Sequence, residues 1–214
     1  MLKSIKCMQR GDTIIEVLFA VTVFSLVAVG GLSIMNQGIT TSQRSLEITL
    51  VRQEIDSQAE ALRFLNDSYV ASYQPNSSYS SNTPAGQWTL MLASIIASGT
   101  HQATAFGASN VCPVPPNGSF IINTRTAQFV PPPADKLHQA QTYAKVDYET
   151  SDDNAAVMSA RGIWIEAIRS GTSPDSNQTN AGYIDFHIMA CWSSPGQSVP
   201  VTIGTIVRLY EPRG

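Results

Sequence analysis

The chain is poor in charge, in histidine and in cysteine, and each shortage removes a class of function. Only 14% of its 214 residues are Asp, Glu, Lys or Arg, and the net charge is −3. No Lys/Arg-rich run interrupts this pattern, so the electrostatic footprint of a nucleic-acid binder is missing and no direct nucleic-acid contact is expected. The three histidines, His101, His138 and His187, stand at no ligand spacing to the cysteines, and there is no C-x-x-C, which argues against zinc. No G-x-S-x-G, P-loop or H-E-x-x-H occurs, and no enzyme is expected. No internal repeat is visible. Pro113–Pro116 and Pro131-Pro132-Pro133 mark exposed loops rather than a domain boundary.

What charge there is lies unevenly. Lys3, Lys6 and Arg10 put three positive groups and no negative one into the first eleven residues. Without them, 10 basic residues face 16 acidic ones. Directly after this basic leader, Ile14 to Met35 reads IIEVLFAVTVFSLVAVGGLSIM, in which Glu16 is the single ionisable group. At about 1.5 Å per residue, roughly 20 apolar residues cross a hydrocarbon core of about 30 Å. The positive leader predicts an N-terminus held in the cytoplasm and a chain beyond about residue 36 outside it. The run ends in Met35-Asn36-Gln37-Gly38, without the A-x-A pattern of an ordinary secretory cleavage site. Length and apolar content then suit one globular domain beyond an anchor.

The cysteines divide in the same way: Cys7 sits in the leader, Cys112 and Cys191 in the distal half. A pair in a Ser-, Asn-, Gly- and Pro-rich region beyond a membrane segment reads as one structural disulfide in an oxidising compartment. Two unpaired core thiols are the alternative, because sequence does not supply the Cα separation.

Leader and span together resemble the type IV pilin and pseudopilin signature: a basic leader ending in Gly, then a largely apolar helix with Glu at its fifth position. Here the match reads Arg10-Gly11, then Asp12-Thr13-Ile14-Ile15-Glu16-Val17-Leu18-Phe19-Ala20. It covers about the first 40 residues and is specific through the combination of its parts. The resemblance implies cleavage between Gly11 and Asp12 by a prepilin peptidase and N-methylation of Asp12. It also implies attraction of a neighbouring subunit's new amine by Glu16, and a pilus assembly platform protein with its ATPase as partners. The family usually carries Phe or another apolar residue after the scissile bond, where this chain has Asp12. An acidic residue in the first helical turn is favoured by the positive end of the helix dipole.

The expected division is a leader at 1–11, a membrane and assembly helix at 12–35, an amphipathic continuation at 36–66, and an extracytoplasmic domain at 67–214. In LEITLVRQEIDSQAEALRFL, Leu46, Leu50, Val51, Ile55, Ala59, Leu62 and Leu65 recur at helical spacing, with Arg52, Glu54, Asp56 and Glu60 on the other faces. Gly30 and Gly31 interrupt the apolar half, for close packing or as a loosened point. Asn66-Asp67-Ser68 predicts a stop, 67–87 a connection, and Trp88–Ile96 a short helix ended near Gly99. Strands are predicted at Ser119–Asn123, Ala127–Val130, Gly162–Arg169, Tyr183–Trp192 and Val201–Tyr210. The result is an α+β fold, a long helix packed on an antiparallel sheet.

Two further features bear on ligands. Asp147 to Asn154, DYETSDDN, offers oxygen ligands, and calcium steadies loops in some pilin relatives, but the spacing is not an EF-hand and a solvated acidic loop is the plainer reading. His187 alternates with apolar neighbours and is expected on a sheet face. Three functions follow in order: a major or minor pilin, a pseudopilin of a type II secretion or DNA-uptake machine, and a single-pass membrane protein displaying a surface-binding domain.

Overall fold

A computed structural model describes residues 12–98, 104, 111–131, 136–149, 155–169 and 182–212. The leader, with Gly11, lies outside them, as do Thr150 to Asn154 and the side chain of Asp12. Two compact units are present, one ending at Ser45 and one beginning at Leu46.

Helix α1 spans Asp12–Ser72, 61 residues without a proline. In its second half, Val51, Ile55, Ala59, Leu62 and Leu65 are 0–3% exposed. Their spacing of three and four residues lays them along one face, which joins the core. The helix passes the expected stop at Asn66 because that segment has tertiary partners. Leu65 is buried, Tyr69 packs on the core, and Asn66 Nδ2 donates to Tyr210 O at 3.4 Å. Tyr79 closes the end: its hydroxyl donates to Ser72 O and accepts from Gln74 N, both at 3.0 Å.

Helix α2 spans Pro84–Ser98 and starts four residues before the predicted Trp88. Thr83 is its N-cap, accepting from Gly86 N through Oγ1 at 3.2 Å, and Pro84 holds the first helical position, where its missing N–H costs nothing. Trp88, Met91 and Ile95 enter the core from this helix.

Among the described residues eight strands follow: β1 (Ile121–Asn123), β2 (Gln128–Val130), β3 (Leu137–His138), β4 (Lys145–Tyr148), β5 (Val157–Arg161), β6 (Ile163–Arg169), β7 (Tyr183–Trp192) and β8 (Val201–Tyr210). The β1–β2 hairpin, a β3-β5-β4 sheet and a β6-β7-β8 meander form three small sheets. Strands β7 and β8 have the predicted bounds and pair in register over ten residues. The β3-β5-β4 sheet was not expected, and β3 pairs with β5 in parallel, so one of the pairings departs from the antiparallel rule. The α+β class holds: a long N-terminal helix contacts mostly antiparallel strands.

Along β7 the alternation expected from sequence is present. Ile184, Phe186, Ile188, Ala190 and Trp192 face the core, while Tyr183, Asp185 and His187 are only partly buried on the other face. Gly162 lets the chain turn from β5 directly into β6. It has φ +66°, and a Cβ there would sit 2.4 Å from Cys191 O. Its own N–H donates to His138 O at 2.7 Å and its carbonyl accepts from Cys191 N at 2.8 Å, so β3, β5, β6 and β7 meet at one residue.

Candidate functional site: an uncovered apolar helix

Among the described residues, the unit ending at Ser45 is a single helix whose large apolar side chains are exposed. Fifteen large apolar residues between Ile14 and Ile39 are 42–74% exposed. They are spread around the helix rather than along one stripe, the pattern of a segment surrounded by apolar material. Covering a large apolar side chain is worth about 1.5–3 kcal/mol. Fifteen of them outweigh the roughly 5–15 kcal/mol that holds a whole domain folded. This surface is therefore built for a covering, and the helix is long and apolar enough to cross a membrane by length and composition.

The polar side chains inside the run are silenced locally. Thr22 Oγ1 donates to Phe19 O at 2.8 Å and Ser25 Oγ to Val21 O at 2.7 Å. Each hydroxyl thus finds an acceptor within its own helix and brings no unpaired donor into an apolar surround. Thr40 and Thr41 do the same with Gln37 O, both at 2.9 Å. Glu16 differs. It stands exposed on the second turn, the single ionisable side chain between Ile14 and Met35, with four carboxylate lone pairs to offer. Asp12 opens the helix four residues earlier. At Gly30 and Gly31 the helix continues unbroken, and a Cβ at either position would meet nothing within 4 Å. No described residue of this chain requires those positions to be small.

The unit beginning at Leu46 is held shut by contacts that the sequence only partly announces. Cys112 and Cys191 form a disulfide with Cα atoms 5.6 Å apart. It fastens the proline-rich segment around Cys112 onto β7, where Cys191, Met189 and Trp164 form a second apolar cluster on the outer side of the meander. Closing a loop of 79 residues stabilises by roughly 4–5 kcal/mol in the chain-entropy account. A disulfide of this kind fits an oxidising, extracytoplasmic setting.

Two polar anchors on α1 escaped the sequence reading. Gln58, fully buried, donates through Nε2 to Ile122 O and accepts at Oε1 from Ile122 N, both at 2.9 Å. Its amide completes the hydrogen bonding of β1 as a neighbouring strand would. The signal was present, because Gln58 lies within the apolar stripe, seven residues after Val51. Glu47 accepts at Oε2 from Trp192 Nε1 at 3.0 Å and Ser194 Oγ at 2.7 Å, tying the first turn of this unit to the end of β7. No sequence rule pairs residues 145 positions apart.

Electrostatics on the sheet are local and paired. On the outer face, Asp185 forms a two-pronged ion pair with Arg208, both contacts at 2.7 Å. The Arg208 hydrogen bonds hold the Asp185 carboxyl below the usual range and raise Arg208 in turn. Arg208 also lies 4.0 Å above the Tyr183 ring. Glu54 is shifted the other way: burial raises its carboxyl, partly countered by Gln58 and Arg125. His187 is on the sheet face as expected, in register with Glu166.

The acidic segment is described only through Glu149. Its Asp147 is engaged by Lys145 at 2.8 Å and Arg161 at 3.0 Å, so that carboxylate serves an ion-pair cluster across β4 and β5. Among the described residues no three His, Cys, Asp or Glu side chains converge as a metal site.

Compared with protein-family models, with curated proteins and with solved structures, the chain matches none. What is established is an architecture: a long apolar N-terminal helix packed through its second half on antiparallel sheets, with a stapled distal domain. This is the arrangement that the resemblance to pilins implies.

Proposed function

We propose that the chain is a structural subunit, a major or minor pilin, of a type IV pilus-like filament. One observation carries the reading. A single helix is apolar on all sides and uncovered over its first half, yet buries one stripe in a disulfide-stapled domain over its second. Such a helix needs two apolar surroundings in succession, a bilayer before assembly and a bundle of like helices after it.

In this reading the basic leader ends at Gly11, a prepilin peptidase cuts before Asp12, and Asp12 becomes the methylated N-terminus. The subunit waits as a single-pass protein of the cytoplasmic membrane, its C-terminal domain outside. An assembly platform protein and its ATPase then lift it into a cell-surface filament. Glu16 acts there as the counter-ion of a neighbour's N-terminal amine. In an apolar bundle that attraction is large, and it favours the one axial register that brings the charges together. The role is structural and not catalytic, and it requires no cofactor.

The test is incorporation. With the assembly machinery present, the wild-type chain is recovered in sheared surface filaments, whereas Glu16→Ala is processed and membrane-bound but missing from the filament fraction. Wild-type levels of Glu16→Ala in filaments would overturn the assembly role of Glu16.

A further inference from the structure

Strand β8 is the last strand of the β6-β7-β8 meander, and among the described residues no strand lies along its second edge. The direction of its backbone groups follows from two hydrogen bonds. Glu211 N donates to Gly182 O at 2.9 Å, toward β7, and Asn66 Nδ2 reaches Tyr210 O from the other side at 3.4 Å. The β7–β8 pairs run in unbroken register, so the odd-numbered residues of β8 are the ones that bond to β7. Thr202, Gly204, Ile206, Arg208 and Tyr210 therefore turn their N–H and C=O groups away from β7, and all five are exposed.

Long open edges are ordinarily blocked by proline, a bulge, shortness or a charged side chain. Here ten residues run without proline, and the one charged side chain, Arg208, is neutralised on its own sheet by Asp185 at 2.7 Å. Nor does the core cover the strand fully. Val201, Ile203 and Leu209 lie on the core side yet stay partly exposed, and Ile206 on the outer face is 60% exposed. The edge offers an unpaired backbone ladder with apolar side chains on both faces.

We propose that β8 pairs with β8 of a second copy of this chain, antiparallel, about a two-fold axis at Ile206. The strand is its own complement in that register. On the outer face Ile206 meets Ile206, Gly204 meets Arg208 and Thr202 meets Tyr210; on the core side Ile203 meets Leu209 and Thr205 meets Val207. The even-numbered pairs exchange backbone hydrogen bonds, and Ile203 and Leu209 gain the cover that the core leaves incomplete. No charge stands opposite its like. Moving the axis to Arg208 would set two guanidinium groups against each other, and moving it to Thr205 would face Ile206 with Gly204, which has no side chain to cover it. The contact needs the globular unit alone and stands whether or not the chain builds a filament.

Single cysteines read the register. The full chain carries Cys7→Ser and is held in enough non-ionic detergent that micelles contain single chains. On mild oxidation Ile206→Cys should give a disulfide-linked dimer, because directly opposed Cα atoms lie about 5.5 Å apart, within bridging range. Thr202→Cys alone should link roughly tenfold less or not at all, since its copy stands about 27 Å away, whereas a mixture of Thr202→Cys and Tyr210→Cys should link. Amide exchange of the wild-type chain gives a second reading that needs no substitution. Exchange at Gly204, Ile206 and Arg208 should slow about tenfold from micromolar to near-millimolar protein, while Ile203, Thr205 and Val207, already bonded to β7, should hardly change. No linkage at Ile206→Cys, equal linkage at Ile206→Cys and Thr202→Cys, or fast exchange of Gly204 and Ile206 at every concentration would each overturn the proposal.

Discussion

Gln58 on helix α1 and Ile122 on strand β1 exchange two hydrogen bonds of 2.9 Å across a fully buried contact 64 residues apart in sequence. An amide side chain can present an N–H and a carbonyl oxygen side by side, as a peptide edge does, so it completes a strand that lacks a neighbour on that side. Gln58→Leu keeps the bulk and leaves both Ile122 groups buried and unpaired. The expected cost is about 2–5 kcal/mol, read as a lower denaturation midpoint of the full chain in detergent. A loss under 0.5 kcal/mol would show that the clamp is dispensable.

Gly162 makes a sharper prediction, because it combines a left-handed backbone with a Cβ position 2.4 Å from Cys191 O and 2.6 Å from Ala140 Cβ. Gly162→Ala is expected to destabilise by roughly 2–4 kcal/mol, through both strain and displaced backbone. Gly196, also at positive φ but with open space around its Cβ position, is the control. Gly196→Ala should cost only about 1 kcal/mol. Equal effects at the two sites would contradict the close-approach account.

Removing the Cys112–Cys191 disulfide should lower stability by about 2–5 kcal/mol. The Cys112→Ser, Cys191→Ser double variant checks this against the wild type under identical non-reducing conditions. The local consequence should be visible too, since the bridge caps Trp164 and Met189. Quenching of Trp164 fluorescence by a soluble quencher, compared in Trp88→Phe, Trp192→Phe backgrounds, should rise when the bridge is absent.

Acidification should act on two carboxylates in opposite directions. Asp185 is held below its ordinary value by Arg208, so its contribution is complete above the unfolded carboxylate range and is lost as pH falls through the folded value. Glu54 is raised by burial, so its ionisation opposes folding, and that penalty is relieved as pH falls through its folded value. Glu54→Gln should therefore raise the midpoint at neutral pH and flatten the weakly acidic part of the stability curve. Asp185→Asn should instead remove part of the loss at the most acidic end. A fall in neutral-pH stability for Glu54→Gln would reverse the sign assigned to its burial.

The parts of the fold legible in the sequence are those that repeat over many residues. Strands β7 and β8 each run for ten residues with a consistent alternation, and their predicted and observed ends coincide. The buried stripe of α1, in which Leu46 and Leu50 were expected but are exposed, was readable for the same reason from Val51 to Leu65. Short elements were not: β3 has two residues and β4 has four, KVDY, which is too little for a period to emerge. Asn66-Asp67-Ser68 carries a stop signal that packing overrides, since Asn66 reaches Tyr210 and Ser68 Oγ donates to Phe64 O at 2.7 Å. The start of α2 is written in the sequence as the Thr83-Pro84 cap, four residues before the apolar run at Trp88. At the candidate site, the apolar helix was legible in the sequence. Gln58 showed in the sequence only as a polar residue inside the apolar stripe, with its partner 64 residues away, and the Glu47 anchor, 145 to 147 residues from its partners, has no local pattern that encodes it.

The central claim is that this helix is released and built into a filament, and its most direct test is the mature N-terminus. The chain should be expressed with and without a prepilin peptidase and its intact mass measured. The account predicts a product that begins at Asp12 only when the peptidase is present, heavier by one methyl group when the amine is modified. An unchanged Met1 start in the presence of the peptidase, or a cut near Gly38, would contradict it.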